Sequence, residues 1–335
     1  MKKWLFTWFV VLGLMVRAAT ASEPDNPVSP PMTYRGMCDA SAAVALDDDL
    51  FAVANDEDNS IRTYSAKNGG APVNSLDLSP FLRIDPKRPE TDLEGAAWLG
   101  DKIFWIASHG RNRDGKFRAS RDRFFATTVI RSNNTVRLAP TGRPYRTLLL
   151  DLIGDPRLRP MKLSYASTLP PKDQGALNIE GLCATADKQL LIGFRNPIPQ
   201  GRALLVPLVN PEEVIDGRNA KLGDPILLDL KGQGIRDIGF WHGKYLIISG
   251  SYNAEGQSHL YLWKGGTAKP ELMPRIDLED FNPEAIIVYP HNSRSFQLLS
   301  DDGTRLVGGI ACKRLPYSLE KQFRAVWVTP GAGGD

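Results

Sequence analysis

The chain has 335 residues, of which 42% are hydrophobic and 24% are charged, and its formal net charge is +3. The first 21 residues carry three basic residues and no acid, so the remainder of the chain is neutral overall. Because non-specific nucleic-acid binding needs a basic surplus or stripe, this balance argues against a nucleic-acid partner.

Residues 1–21 have the layout of a secretory signal peptide. Two lysines precede the apolar run 4–16, and Ala19, Thr20 and Ala21 form a small-residue cleavage site. The apolar run is shorter than the ~20 residues that span a bilayer, so a membrane anchor is the less favoured alternative. We therefore predict export to the periplasm or the medium, no membrane span after cleavage, and a proline-rich linker over 22–31.

An acidic residue stands near the start of five short apolar runs that are predicted to be strands. The runs cover 38–44, 92–98, 178–183, 235–241 and 282–288, and their acids are Asp39, Glu94, Glu180, Asp237 and Glu284. Successive acids are 55, 86, 57 and 47 residues apart, whereas one four-stranded propeller blade takes ~40 to 50 residues. Equivalent positions of successive repeats lie side by side, so we predict that the five carboxylates converge on one axis.

Further hydrophobic runs, bounded by turn residues, supply the other strands of each repeat. Second strands are predicted at 50–54, 102–108, 189–194, 244–249 and 296–300, third strands at 60–65, 124–130, 202–208, 259–263 and 323–328, and fourth strands at 75–78, 145–152, 225–230 and 271–276. The fifth repeat lacks a fourth strand, which residues 32–36 can provide. We therefore predict an all-β, five-bladed β-propeller over 32–330, closed by its N-terminal strand, with a flexible tail at 331–335. A six-bladed ring is the alternative if residues 131–177 contain a degenerate blade.

Three cysteines allow one disulfide and one free thiol. Cys183 falls in an apolar inner strand and is predicted to be buried and free. Cys38 and Cys312 lie near the two ends of the ring, and a bond between them would tie those ends together. Geometry decides whether they reach each other, so the sequence leaves that bond open.

Strand direction places the five acids on the same face as the polar turns that follow the second strands. The two longest insertions, 111–123 and 153–177, are expected over the same mouth. Carboxylates 4 Å apart repel each other by about 4 kcal/mol per pair at an effective dielectric constant near 20, so a compensating charge is needed. It is either a hard cation such as Ca²⁺ or a set of internal arginines, namely Arg35, Arg195 and Arg236, and the arginines are the favoured alternative.

Several motifs carry a family resemblance. Residues 92–95, 178–182, 193–197 and 201–204 resemble those of a bacterial family of exported domains of unknown function, over nearly the whole chain after residue 21. More distantly, the x-x-Glu-Gly-Leu/Ala signature is similar to that of the esterase-like domain of phytases. The resemblance implies a propeller and suggests hydrolysis of an ester or phosphoester.

Two functions remain open at this point. The first is a metal-assisted hydrolase acting on a phosphoester or lactone-like ester of a small anionic substrate. In it, Ca²⁺ is held by Glu94, Glu180 and Glu284 with Asp39 or Asp237. His109, Arg111 and Arg195 would then neutralise the anionic charge that develops. The second is a non-catalytic propeller that binds an envelope ligand or protein, favoured by the lack of a G-x-S-x-G elbow or a His-centred triad motif.

Overall fold

The computed structural model describes residue 1 and residues 27–87, 90–133, 135–273 and 276–331. The predicted signal peptide and residues 22–26 of the predicted linker therefore lie outside the described residues, apart from residue 1. Residues 332–335 of the predicted tail do so as well. None of the described helices has the length and apolar character needed to cross a bilayer.

The five-bladed propeller is confirmed: five four-stranded antiparallel sheets follow one another along the chain. The first strand, β1 (Met32–Arg35), belongs to the last blade. Blade one holds β2 (Ala40–Ala45), β3 (Leu50–Asn55), β4 (Ser60–Ser65) and β5 (Asn74–Asp77). Blade two holds β6 (Leu93–Leu99), β7 (Lys102–Ala107), β8 (Phe124–Ser132) and β9 (Thr135–Tyr145).

The remaining blades repeat this order from the axis outward. Blade three holds β10 (Asn178–Ala184), β11 (Leu190–Asn196), β12 (Ala203–Leu208) and β13 (Ile226–Leu228). Blade four holds β14 (Gly234–Trp241), β15 (Lys244–Gly250), β16 (His259–Trp263) and β17 (Glu271–Leu272). Blade five holds β18 (Pro283–Ile287), β19 (Phe296–Ser300), β22 (Gln322–Val328) and β1, and a small hairpin of β20 (Leu306–Val307) and β21 (Ile310–Ala311) is inserted between β19 and β22.

The ring closes as predicted, because β1 pairs antiparallel with β22 as the outermost strand of blade five. The pairing continues upstream, where Ser29 donates its backbone N–H to Trp327 O. On the inner side of this seam, Tyr34 stacks on Phe323 and meets Phe51 of blade one edge to face. The aromatic packing therefore fastens the last blade to the first.

The Cys38–Cys312 disulfide is formed, with a Cα–Cα distance of 5.9 Å, and Cys183 is a buried free thiol. Apolar faces of neighbouring blades pack against each other, which explains why the inner strands are apolar on both sides. Between blades three and four the sheets approach so closely that a Cβ added to Gly193 would lie 2.8 Å from a methyl carbon of Ile235. A larger residue at position 193 would push these blades apart.

One strand and one alternative are corrected. The fourth strand of blade two is β9 and not residues 145–152, which instead lead into a helix at Leu148–Gly154. Leu148 and Leu152, four residues apart, are both buried on the helix, so an apolar run that suits a strand is helical here. The described part of 131–177 otherwise contains short helices and turns, with no sixth sheet, so the six-bladed alternative is wrong.

Candidate functional site

The inner strands of the propeller share a β-bulge near their first residues. In blade three, Ile179 pairs with Phe194 and Gly181 with Gly193, which leaves Glu180 as the extra residue. Glu94, Arg236 and Glu284 are the extra residues of blades two, four and five. A bulge re-aims the side chain it carries, so these four positions are the structural equivalents around the axis.

Two of the five predicted acids do not occupy this equivalent position. In blade one the bulge contains Ser41 and Ala42, and Asp39 precedes it; in blade four the bulge residue is Arg236, and Asp237 follows it. Successive side chains of a strand point to opposite faces of the sheet. A difference of one residue therefore decides whether a side chain occupies the equivalent position around the axis or lies outside it.

Three of the equivalent positions, together with Arg195 of β11, form a chain of alternating charges, defined here as Arg195, Glu180, Arg236 and Glu284. Glu180 Oε1 lies 2.7 Å from Arg195 Nη1, and Glu180 Oε2 lies 3.8 Å from Arg236 Nε. Arg236 Nε also donates to Glu284 Oε2 at 3.0 Å. The internal pairing predicted for Arg195 and Arg236 is therefore confirmed, whereas Arg35 is exposed on the outermost strand of blade five.

Asp237 is buried apart from this charge chain. Its carboxylate accepts backbone N–H bonds from Ile238 at 2.8 Å and from Ile286 of blade five at 2.7 Å. Burial raises the pKa of Asp237 to about 8, although both N–H donors act in the opposite direction. Both oxygens of Asp237 are thus engaged, Oδ1 within its own strand and Oδ2 in a bond that joins blade four to blade five.

A second group of carboxylates lies where blades one and two meet at the mouth. It consists of an outer triplet (Asp39, Asp56, Glu57) and an inner triplet (Asp56, Asp92, Glu94), and within each triplet one oxygen per residue lies within 4.8 Å of the others. Asp56 belongs to both triplets. We call these five residues the acidic crescent.

Burial and mutual repulsion raise the pKa values of carboxyl groups in the acidic crescent. Burial, followed by the charge of Asp39, raises the pKa of Asp56 well above its usual range. Burial and the charge of Asp92 have the same effect on the pKa of Glu94, and burial with the nearby Asp301 raises the pKa of Asp39 to about 8. A positive charge placed among these oxygens would offset both the repulsion and the raised pKa values.

Arg121 forms an ion pair with the inner triplet. Burial raises the pKa of Asp92 to about 6 against the opposing effect of Arg121, whose Nη1 lies 2.7 Å from Asp92 Oδ2. Arg121 is shared with Glu90, which it also contacts. The single positive charge of Arg121 therefore does not neutralise the four carboxylates of the inner triplet and Glu90.

The buried side-chain atoms that have no hydrogen-bond partner among the described residues include Asp56 Oδ1, Glu180 Oε2 and Arg195 Nη2. Glu180 and Arg195 are only 2% and 6% exposed. The charges of both residues act on the neighbouring Glu94 carboxylate, which places them beside the inner triplet. Buried polar atoms in native proteins are nearly always bonded, so these atoms are expected to bond an ordered water or a polar ligand.

Of the three basic residues predicted to neutralise anionic charge, only Arg195 belongs to the charge chain. His109 is 3% exposed and its Nδ1 lies 2.7 Å from Ala107 O. Burial lowers the pKa of His109 to about 4, so the ring is neutral at neutral pH. Arg111 donates to Ser167 O at 2.8 Å and to Gly115 O at 3.0 Å, which fastens the two long insertions together.

Asp56, Glu57 and Asp92 were not among the ligands predicted from the sequence. Asp56 and Glu57 stand in the polar turn after β3, on the face to which strand direction assigns the inner acids. Asp92 precedes Glu94 by two residues in the Asp-x-Glu-Gly motif. The acidic turns on that face were the available signal.

A family model described as "Protein of unknown function (DUF3616)" matches residues 39–134 and 141–293. The chain belongs to this family. The acidic crescent and the charge chain both lie within the parts matched to DUF3616, so the candidate site is part of the family's domain. The more distant resemblance to the esterase-like domain of phytases stays a prediction.

Several solved structures are similar to this DUF3616 chain at low identity. Myxococcus xanthus glutaminyl cyclase is 11% identical with a TM-score of 0.49, over 90% of this chain and 96% of that chain. PQQ-bound aldose sugar dehydrogenase from Streptomyces coelicolor is 11% identical with a TM-score of 0.42, over 89% and 98%. Trypanosoma rangeli sialidase is 13% identical with a TM-score of 0.40, over 79% and 44%.

These structural likenesses are too distant to carry an argument about activity. No curated protein matches the chain significantly.

Proposed function

We propose that the protein binds a divalent, oxygen-preferring cation such as Ca²⁺ in the acidic crescent and uses it to hold and hydrolyse a small anionic ester or phosphoester. The observation that carries this proposal is the sharing of Asp56 between two acidic triplets whose oxygens lie within 4.8 Å of one another. Two oxygens on opposite sides of a calcium ion are separated by about twice the ~2.4 Å ligand distance, so this spacing fits.

The donor set also favours a hard cation. Every donor of the acidic crescent is a carboxylate oxygen, and Ca²⁺ takes six to eight oxygen ligands, whereas zinc prefers nitrogen and sulfur. One triplet supplies only part of that shell, which leaves coordination positions for water and for a ligand oxygen. The buried oxygens Asp56 Oδ1 and Glu180 Oε2, which have no hydrogen-bond partner among the described residues, are an independent sign that a ligand binds here.

A cation bound in the acidic crescent would supply polarisation of an ester oxygen and a water molecule of lowered pKa. Arg195 would orient the anionic group of the substrate, since its Nη2 has no hydrogen-bond partner among the described residues and its Nη1 is held by Glu180. The raised pKa values of Asp56 and Glu94 mean that proton loss and cation binding are coupled.

A second function, ligand binding without hydrolysis, is favoured by a specific observation. His109 is buried and neutral, and Arg111 is committed to two backbone carbonyls. Of the three predicted charge-neutralising side chains, Arg111 is therefore engaged in holding the insertions and His109 carries no charge. On this alternative the cation bridges the mouth to an anionic envelope ligand.

Calorimetric titration with CaCl₂ tests the cation site. Asp56→Asn should abolish calcium binding, because Asp56 serves both triplets. Asp58→Asn is the matched control, since Asp58 lies in the same turn but pairs with Arg62 at 2.8 Å. Equal calcium binding by wild type and Asp56→Asn would refute the proposal.

Hydrolysis of p-nitrophenyl acetate and p-nitrophenyl phosphate, with calcium and with EDTA, then separates the two functions. Calcium-dependent turnover that Asp56→Asn removes supports the hydrolase, and calcium binding without turnover supports the binding module. We also propose that the protein is exported, on the signal-peptide pattern alone; N-terminal sequencing of the mature protein should begin at Ser22.

A further inference from the structure

Blade five carries an inserted finger, defined here as residues 303–314, which contains β20 and β21. Cys312 and Lys313 lie near the end of the finger. The finger therefore places Lys313, which is far from blade one in the sequence, at the mouth beside blade one. Lys313 Nζ lies 3.4 Å from Glu57 Oε1.

Lys313 interacts with the whole outer triplet. Burial disfavours its charge, but the carboxylates of Glu57, Asp39 and Asp56 outweigh that effect and raise the pKa of Lys313. The side chain is 41% exposed, so its ammonium group lies at the rim of the acidic crescent.

The backbone at Lys313 is held by a hydrogen bond and by the neighbouring disulfide. Its N–H donates to Gly303 O at 3.1 Å, and the preceding Cys312 is disulfide-bonded to Cys38, the residue before Asp39. The N–H of Asp302 donates to Cys38 O at 3.0 Å. Lys313 and Asp39 are thus positioned by the same covalent bond and by short backbone contacts.

We infer that Lys313 is the resident counter-cation of the outer triplet, so that the mouth takes one metal ion and takes it at the inner triplet. A divalent ion in the outer triplet would be repelled by an ammonium group that already contacts Glu57. At the inner triplet, Arg121 contacts Asp92 but is shared with Glu90, and Arg195, whose charge acts on Glu94, is paired with Glu180. This inference rests on the proposed cation site and specifies its position and stoichiometry.

The test is calorimetric titration of the full chain with CaCl₂, with thermal melting to verify folding. Wild type should bind one equivalent. Glu94→Gln should weaken binding more than about tenfold and Glu57→Gln less than about threefold, because only Glu94 is a ligand. Lys313→Met should bind a second equivalent, and Lys313→Arg should restore one.

Lys67→Met is the matched control. Lys67 pairs with Asp49, in the turn between β2 and β3 at the other end of blade one, and its loss should leave the stoichiometry at one. Two equivalents in wild type, or one equivalent at unchanged affinity in Lys313→Met, would overturn this inference while leaving the cation site intact. Failure of both wild type and Lys313→Met to bind calcium would overturn the inference and the proposed function together.

Discussion

Glu180 holds the centre of the charge chain, and its neutralisation should destabilise the whole propeller. The residue is 2% exposed and lies between two guanidinium groups that are themselves 6% and 5% exposed, those of Arg195 and Arg236. Burial, together with the charge of Arg195, already lowers the pKa of Arg236 to about 10. Glu180→Gln keeps the shape of the side chain but removes the negative charge that compensates the two cations.

Removing one partner of a buried ion pair costs about 3–5 kcal/mol, because the remaining charge stays desolvated. Arg236 retains Glu284 as a partner, so the loss concerns mainly Arg195. For about 300 ordered residues the entropy of unfolding is roughly 0.6 kcal/mol per kelvin, so a loss of ~4 kcal/mol corresponds to a fall of about 6 °C in Tm.

The assay is reversible urea unfolding followed by tryptophan fluorescence and circular dichroism. Glu213→Gln is the control, because its 3.1 Å pair with Lys221 is exposed and should leave the free energy of unfolding near the wild-type value. If Glu180→Gln unfolds within about 1 kcal/mol of wild type, the charge chain does not depend on Glu180 for its electrostatic balance.

Three further outcomes are expected. Replacing both Cys38 and Cys312 by serine should cost about 2–5 kcal/mol in urea unfolding, and the same loss should appear when wild type is unfolded with a reductant. Because the pKa values of Asp39 (about 8) and Asp92 (about 6) are raised on folding, the stability they contribute is complete below the unfolded pKa near 4 and is lost as pH rises through those values. Metal-free Tm should therefore carry a falling component between pH 4 and pH 8 while calcium-induced stabilisation grows, and a calcium effect that is constant with pH would contradict this. Asp237→Asn should lower the free energy of unfolding by about 1–3 kcal/mol through one lost backbone bond without changing calcium affinity, and a lost calcium response would instead make Asp237 a ligand.

The blade count and the closure of the ring could be predicted because they depend on the number of strand-like runs and on the spacing between them. Five acid-led runs and a missing fourth strand in the last repeat leave residues 32–36 as the only predicted completion. The pairing of Met32 with Ala325 agrees with that prediction. The disulfide is consistent with this closure, because Cys38 and Cys312 lie near the seam where the ring closes.

The candidate site was harder to predict, because a shift of one residue in strand register changes which side chain enters the site. Arg236 and Asp237 are adjacent, and only the bulge decides which of them points along the charge chain. Lys313 reaches Glu57 across 256 residues of chain, and no local pattern encodes such a contact. Hydrophobic periodicity thus predicts sheets, whereas site geometry also depends on bulges and insertions.

The pairing of β1 with β22 sets the order in which the molecule can be completed. β1 lacks its sheet partner until β22 is available, so blade five cannot be completed before residue 328 has been made. All the strands of blades one to four come earlier in the chain. A chain that folds from its N-terminal end can therefore complete four sheets while β1 still lacks β22, and in that state β1 is an extended segment that a protease or chaperone can recognise.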